Sequence, residues 1–356
     1  MRTLLLAPEL FKGEGGIARI LRLYLKALCD LAAEGDAVRF ASLNDGPMDP
    51  GEVDRYSGSR LAEGKGCAGS KAAFCWTALR MGLGSDRIVC GHIAQLPLAW
   101  AASRLRPRLP YYLVAHGIEV WRPFSALERR ALDGARCVWC VSEFTRSRLL
   151  EHYRVPRERT AVAPNALDPG LEPLSAAQAP AGPPIILTVS RLSIADGYKG
   201  IGHLISAMPA VLREIPDARL RIVGRGDGLA GLKSLARGLA LGEAVEFAGY
   251  RSDAELVGEF TRCRLFALPS QKEGFGLVYL EAMAHGRPCL GALAGGTPEV
   301  ITADTGVLVD YGDVPAIAAA LVASLRREWR AEPMLERAQM FSYARFKDRL
   351  ASLLST

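Results

Sequence analysis

Two glutamates, Glu273 and Glu281, stand with seven residues between them, GFGLVYL, in which glycines give way to an apolar run. A carboxylate at such a point can hold sugar hydroxyls, and bare amides at a helix start favour anions. A helix capped by a glutamate fits the pattern as well, so the partners of these residues decide. Arg191 and Lys199, in RLSIADGYKG, are the candidates. A planar fork of donors beside a compact point charge is what a diphosphate requires; ordinary surface salt bridges are the other account of them. Glycine turns recur at Gly224, in GRGDG, and at Gly15 and Gly16. His116 and Glu119, in AHGIEVW, complete the set of groups able to do chemistry.

These residues need elements to hold them. RLFALP reads as a buried strand ahead of Glu273, and the spacing of Leu277, Leu280, Glu281 and Ala284 predicts a helix behind it. Glu273 and the Gly274–Gly276 amides then lie in a strand-to-helix turn, with Glu281 about two turns on. IILTVS is a strand that delivers Arg191 at its carboxyl end, and RLRIVG does the same for Gly224. TLLLA predicts a first buried strand, with Gly15 and Gly16 opening the long amphipathic helix IARILRLYLKALCDLAAEG behind it. Amides at that helix start could cradle phosphate, although the spacing is not that of a dinucleotide fold. YYLVA is a strand with His116 directly after it, the end at which ligands gather in open α/β sheets. Residues 44–70, rich in Gly, Asp, Ser and Pro, read as a long surface loop.

The whole is an α/β protein of two domains, as a length of 356 residues already implies. The first spans 1–171, a proline-rich linker covers 172–184, and the second spans 185–333. A last helix, about 334–356, carries an apolar stripe of Phe346, Leu350, Leu353 and Leu354 suited to packing back onto the first domain. No apolar run approaches the ~20 residues of a membrane span. The start, MRTLLLAPELF, reads as a strand and not a secretion signal. Eight cysteines without a framework spacing, including the Cys137–Cys140 pair within the strand CVWCVS, read as packed thiols in a reducing cytosol.

Charge is uneven. Residues 101–160 hold twelve arginines against six acidic residues, and this surplus equals the net charge of +6 for the entire chain. A surface of that kind suits an anionic membrane leaflet, a lipid phosphate or nucleic acid; a solvated arginine-rich face accounts for it equally.

Taken together, GGIAR, AHGIEVW, VSEFT, PNALD, SRL…YKG, RIVGRGD, FAG, PSQKEGFGLVYLEAMAHGRP and GGTPEVI run through the chain in an order that resembles the family 4 (group 1) retaining glycosyltransferases. The resemblance implies a GT-B fold: two Rossmann-like domains facing across a cleft, with the C-terminal helix crossing back. It implies that Arg191 and Lys199 neutralise the diphosphate of a nucleotide-sugar donor, with Gly15 and Gly16 opposite and Gly224 nearby. Glu273 would read the donor sugar, the segment Gly274, Phe275, Gly276, Leu277 and Val278 would reach sugar and phosphate, and Glu281 would bind the ribose. Tyr250 and Arg251 would flank the base. His116 would sit beside the donor sugar as a positioning and transition-state hydrogen-bonder. By their place after the strand YYLVA, His116 and Glu119 are also the acceptor-side candidates. The acceptor would be a glycan or lipid-linked glycan, with no nucleic-acid partner. The basic block at 101–160 adds the expectation of docking at the inner membrane leaflet to reach it. No Asp-X-Asp occurs, so neither a metal nor another cofactor is expected. PNALD lacks the glycine that usually follows its asparagine, and the loop from Arg191 to Lys199 is longer than the shortest in the family. Sugar-nucleotide epimerases, phosphorylases and a non-catalytic binding module on the same fold are the alternatives.

Overall fold

The computed structural model describes residues 1–13, 15–171 and 182–355. The chain divides into two units, Met1–Asp168 with the segment from Tyr343 on, and Pro169–Ser342. Residues 172–181 of the expected linker lie outside the described residues.

In the first unit, helices and strands alternate: β1 (Arg2–Ala7), α1 (Gly16–Asp30), β2 (Ala37–Ser42), α2 (Pro50–Ser57), β3 (Leu61–Gly66), α3 (Lys71–Leu83), β4 (Arg87–Cys90), α4 (Leu96–Leu105), β5 (Tyr111–Ala115), α5 (Ala126–Asp133), β6 (Cys137–Cys140), α6 (Glu143–His152) and β7 (Thr160–Val162). The strands form one parallel sheet in the order β3-β2-β1-β4-β5-β6-β7. Its unbroken apolar strands follow from helices on both faces. Leu4 and Leu6 of β1 enter the layer of α3 and α4, while Leu5 and Ala7 enter the layer of α1. Strand β6 behaves alike. Cys140 is buried on one face, where burial pushes its thiol up to about 12, and Trp139 on the other stacks 4.9 Å from Tyr112. All eight cysteines are free thiols.

The structure corrects the reading of residues 44–70 as loop. Asp49 caps α2 by accepting from the Glu52 amide at 2.9 Å, with Pro50 in the first turn. Strand β3 then pairs with β2 at the sheet edge. Its sequence, LAEGKG, has no apolar alternation because an edge strand needs little beyond its ladder. Gly64 lies flat on Phe40, where a Cβ would stand 2.5 Å from the ring. Helix α4, with Pro97 in its first turn, is a further element that periodicity alone did not indicate.

In the second unit, β8 (Ile185–Val189), α7 (Ile201–Glu214), β9 (Arg219–Val223), α8 (Leu229–Gly238), β10 (Val245–Gly249), α9 (Asp253–Arg262), β11 (Leu265–Leu268), α10 (Leu277–Ala284), β12 (Cys289–Ala292), β13 (Gly306–Val309), α11 (Val314–Arg326) and α12 (Glu332–Gln339) follow in turn. The six strands are parallel in the order β10-β9-β8-β11-β12-β13. The single helix expected from about 334 is two. Helix α12 belongs to the second unit, and α13 (Tyr343–Ser355) to the first, where Phe346 meets Tyr24 edge-on at 4.9 Å. Among the described residues no helix is long and apolar enough to cross a membrane.

Candidate active site

The order of the second sheet reverses between β8 and β11, which are hydrogen-bonded neighbours although far apart in sequence. Crevices at such switch points, beyond the carboxyl ends of the strands, are where open α/β sheets bind ligands. The loop after β8 carries Arg191 and Lys199, and the loop after β11 carries Glu273. Lys199 Nζ forms an ion pair with Glu273 Oε1, and both side chains are largely sheltered, 19% and 12% exposed.

Glycines make this contact possible. Gly200, at φ +77°, follows Lys199 and lies against the Pro269 carbonyl, where a Cβ would come to 2.3 Å. The Tyr198 carbonyl accepts from the Gln271 amide at 2.8 Å, a second tie between the two loops. From below, Gly295, at φ +60°, leaves no room for a Cβ, which would stand 2.3 Å from the Glu273 carbonyl. That carbonyl accepts from the Gly296 amide at 2.7 Å. The Glu273 backbone is therefore fixed on two sides.

Helix α10 begins at once. Its N-cap, Gly276, has φ +97°, and a Cβ there would press to 2.5 Å from the Tyr279 ring. The buried Tyr279 hydroxyl donates to the Leu268 carbonyl, which ties the helix to the end of β11. Leu277 and Val278 carry first-turn amides that the helix itself leaves without acceptors. Phe275 is buried 5.3 Å from Phe341, and Glu281 is buried within the helix.

Arg191 is placed differently. Its guanidinium is 71% exposed and pairs with Asp196 at 3.2 Å, not with Glu273. The loop that carries it is laced to the GRGDG turn. Leu192 donates to the Arg225 carbonyl at 2.9 Å, Gly228 donates to the Leu192 carbonyl at 2.8 Å, and Ile194 donates to Asp227 at 2.8 Å. Gly224, at φ +143°, sits under Ser190 with 1.8 Å between a hypothetical Cβ and its carbonyl oxygen. One strand further out, Arg225 stacks 4.6 Å over the half-exposed Tyr250 ring, while Arg251 reaches Glu259 at 3.3 Å.

Gly15, Gly16, His116 and Glu119 belong to the first unit. Helix α1 starts at Gly16, and among the described residues a Cβ on its N-cap Gly15 would meet nothing within 4 Å. The sheet reverses between β1 and β4, and Gly91, just past β4, donates to the Leu6 carbonyl at 2.7 Å. The Gly91 carbonyl accepts from His116 Nε2 at 2.9 Å. That bond puts the ring proton on Nε2 and leaves Nδ1 buried without a hydrogen-bond partner among the described residues. Burial holds the imidazole down to about 4, against the opposing pull of the Gly91 bond, so it is neutral near pH 7. What His116 offers a hydroxyl is a lone pair. Glu119 accepts from the His116 amide and braces the same turn; burial raises its carboxyl above the ordinary range.

A stability test follows from the buried ring. An unfolded histidine titrates near 6.5, so between there and about 4 the unfolded chain binds the extra proton. The contribution of His116 is complete above 6.5 and is lost as the pH falls through that window, about 3 kcal/mol by the size of the shift. His116→Gln should therefore flatten the decline of Tm between pH 6.5 and 4. His92 and His285, also lowered by burial, keep part of the slope. An unchanged slope would show that His116 is not held neutral.

Sequence reasoning passed over Asp196 and Tyr198, which lie inside the quoted RLSIADGYKG segment, and the role of Gly295 beneath Glu273. An acid and a phenol within a cationic loop were the available signal.

Residues 174–345 match the family of glycosyl transferases group 1, and residues 15–171 match Glycosyltransferase Family 4. A GDP-mannose-dependent alpha-(1-6)-phosphatidylinositol monomannoside mannosyltransferase of Mycobacterium tuberculosis is 31% identical over 68% of this chain and 67% of that protein. With this likeness, the chain belongs to the group 1 (family 4) glycosyltransferases. The protein of the same description from Mycolicibacterium smegmatis is 34% identical over 62% of each chain, so the match spans less than two thirds of that relative. Among solved structures, Anabaena HepE in complex with UDP and glucose has a TM-score of 0.78, 22% identity and 99% coverage of both chains. Sucrose-phosphate synthase from Thermosynechococcus elongatus has a TM-score of 0.76 and 23% identity, covering 100% of this chain and 98% of its own. The fold is the GT-B fold of these proteins.

Proposed function

We propose that this chain is a retaining glycosyltransferase that moves a hexosyl unit from a nucleotide-diphosphate sugar to a glycan or lipid-linked glycan, in the assembly of a cell-surface polysaccharide such as lipopolysaccharide. The observation that carries the reading is the Lys199–Glu273 pair at the reversal of the second sheet. Lys199 and Arg191 take the diphosphate, Glu273 is released to the hydroxyls of the donor sugar, and Glu281 takes the ribose. Departure of the leaving group builds negative charge on the β-phosphate, and fixed cations meet that charge without reorganising. In front-face transfer the leaving phosphate takes the acceptor proton, so no protein base is assigned. His116 Nδ1 accepts from a sugar hydroxyl and positions it. The two cations do the work of a divalent ion, and transfer is expected to persist in EDTA.

The described functions of the mycobacterial relatives support a lipid-borne acceptor. So does the charge of the first unit. Arg104, Arg108, Arg129, Arg130, Arg154 and Arg157 are exposed and form no ion pair among the described residues, and Leu105 between the first two is 70% exposed. Peripheral docking on the inner leaflet from the cytoplasm is the reading this surface supports. Sedimentation with anionic liposomes at low salt tests it; equal recovery with neutral liposomes would remove the membrane from the proposal.

Activity is tested by incubating the protein with UDP- and GDP-linked hexoses and extracted lipid-linked glycans, following the anomeric proton of the product by NMR. Retention is expected. A product of opposite anomeric configuration would overturn the mechanism. Conversion of one nucleotide sugar into another without acceptor would overturn the transferase reading.

A further inference from the structure

Asp196 is a buried carboxylate between the two cations of the donor loop. It accepts from the Tyr198 hydroxyl at 2.9 Å and from Arg191 at 3.2 Å. Its backbone departs from the surrounding 3-10 turn, at φ −96° and ψ 18°, and the residue is buried. The Tyr198 ring in turn lies 5.6 Å from Lys199 Nζ and 5.7 Å from Lys272 Nζ. Each cation assigned to the diphosphate is thus already held by a carboxylate of its own unit: Lys199 by Glu273, Arg191 by Asp196. Glu273 has sugar hydroxyls to turn to when it releases Lys199. Asp196 is buried beneath the loop, and once Arg191 leaves, the Tyr198 hydroxyl is the side-chain partner it keeps among the described residues.

We infer that Asp196 is an internal counter-anion that competes with the donor diphosphate for Arg191, and that Tyr198 makes the exchange affordable by keeping the vacated carboxylate hydrogen-bonded. This rests on the reading of the second unit as the donor site. A buried carboxylate stripped of every partner is costly, and a phenol that stays protonated is a partner that never leaves. Burial, with the Asp196 bond second, raises the Tyr198 hydroxyl well beyond its ordinary range, so it remains a donor at any working pH. Asp196 and Tyr198 are positioning residues in this scheme. They set how readily Arg191 changes partner and touch neither sugar nor base.

The two residues therefore have effects of opposite sign. Asp196→Asn keeps the shape but frees Arg191 and should bind UDP or GDP about two- to fivefold more tightly, the scale of an ion pair with one exposed partner. Tyr198→Phe leaves Asp196 without a partner in the bound state and should bind the same nucleoside diphosphate about fivefold more weakly, the scale of one hydrogen bond. In the Asp196→Asn background Tyr198→Phe should do almost nothing, because no charge is left to satisfy. Isothermal titration of the full-length protein with UDP and GDP, and with uridine and guanosine as ligands that lack phosphate, measures all four proteins. Weakening by both single variants, or additive effects in the double variant, would overturn the competition. If the unaltered protein bound neither diphosphate more tightly than its nucleoside, the donor-site reading itself would fail. If Asp196→Asn does not fold, Tyr198→Phe alone still decides: nucleoside diphosphate affinity equal to that of the unaltered protein overturns the inference.

Discussion

Lys199→Ala will cut turnover by at least about a hundredfold at saturating donor, since removal of one preorganised charge at a developing anion typically costs that much or more. Two losses follow. The leaving phosphate forfeits a cation, and before donor binds Glu273, only 12% exposed, forfeits the ion pair that holds it in place. The second loss separates this position from a surface lysine, whose truncation rarely matters. Lys199→Arg should restore only part of the rate, because a planar fork does not fill the place of a point charge against one carboxylate oxygen. The measurement is kcat with a saturating nucleotide sugar. Near-normal turnover by Lys199→Ala would remove this residue from the mechanism.

Gly224→Ala is the second large effect, and it is one of stability. An added Cβ would stand 1.8 Å from the Ser190 carbonyl oxygen, at a φ of +143° that side chains avoid. Overpacking and backbone strain each cost on the order of 1–3 kcal/mol, so a loss of about 3 kcal/mol or more is expected, and Tm should fall by roughly 10 °C. Gly231→Ala is the matched control. It lies on α8 with nothing within 4 Å of an added Cβ, and should gain up to about 1 kcal/mol as any exposed helical glycine does. Thermal melts of the two variants side by side check both signs. Equal Tm values would show that the Ser190 contact is not tight.

Elements whose residues face a covering layer on both sides were legible in the sequence, because burial writes itself as unbroken apolar runs. Leu4, Leu5 and Leu6 in β1 and Phe266 in β11 are such cases, all fully buried. Edge strand β3 was not legible: beyond its ladder it uses the flat face of Gly64, an ion pair from Glu63 to Arg80 and one packed residue, Leu61, too few to leave an alternating pattern. The turn holding Glu273 was legible because its glycines are compelled by clashes that any side chain would create. Asp196 was not, since a buried aspartate in a polar loop looks like an exposed one until its partners are in place. The placement of Arg191 shows the same limit. Its position after β8 followed from the strand, but its pairing with Asp196 in place of Glu273 depends on rotamers.

Of the six arginines named above, Arg104 lies near the end of α4, Arg108 leads into β5, Arg129 and Arg130 lie on α5, and Arg154 and Arg157 lead into β7, whereas His116 and Glu119 follow the far end of β5. Between Arg108 and His116 runs the whole of that five-residue strand, roughly 16 Å of extended chain. A surface gripping Arg104 and Arg108 is thereby held off from the His116 end of β5 by the length of that strand. The unit becomes a spacer of set height. If a bilayer is what those arginines grip, the hydroxyl that receives the sugar has to be raised to that height by its own carrier.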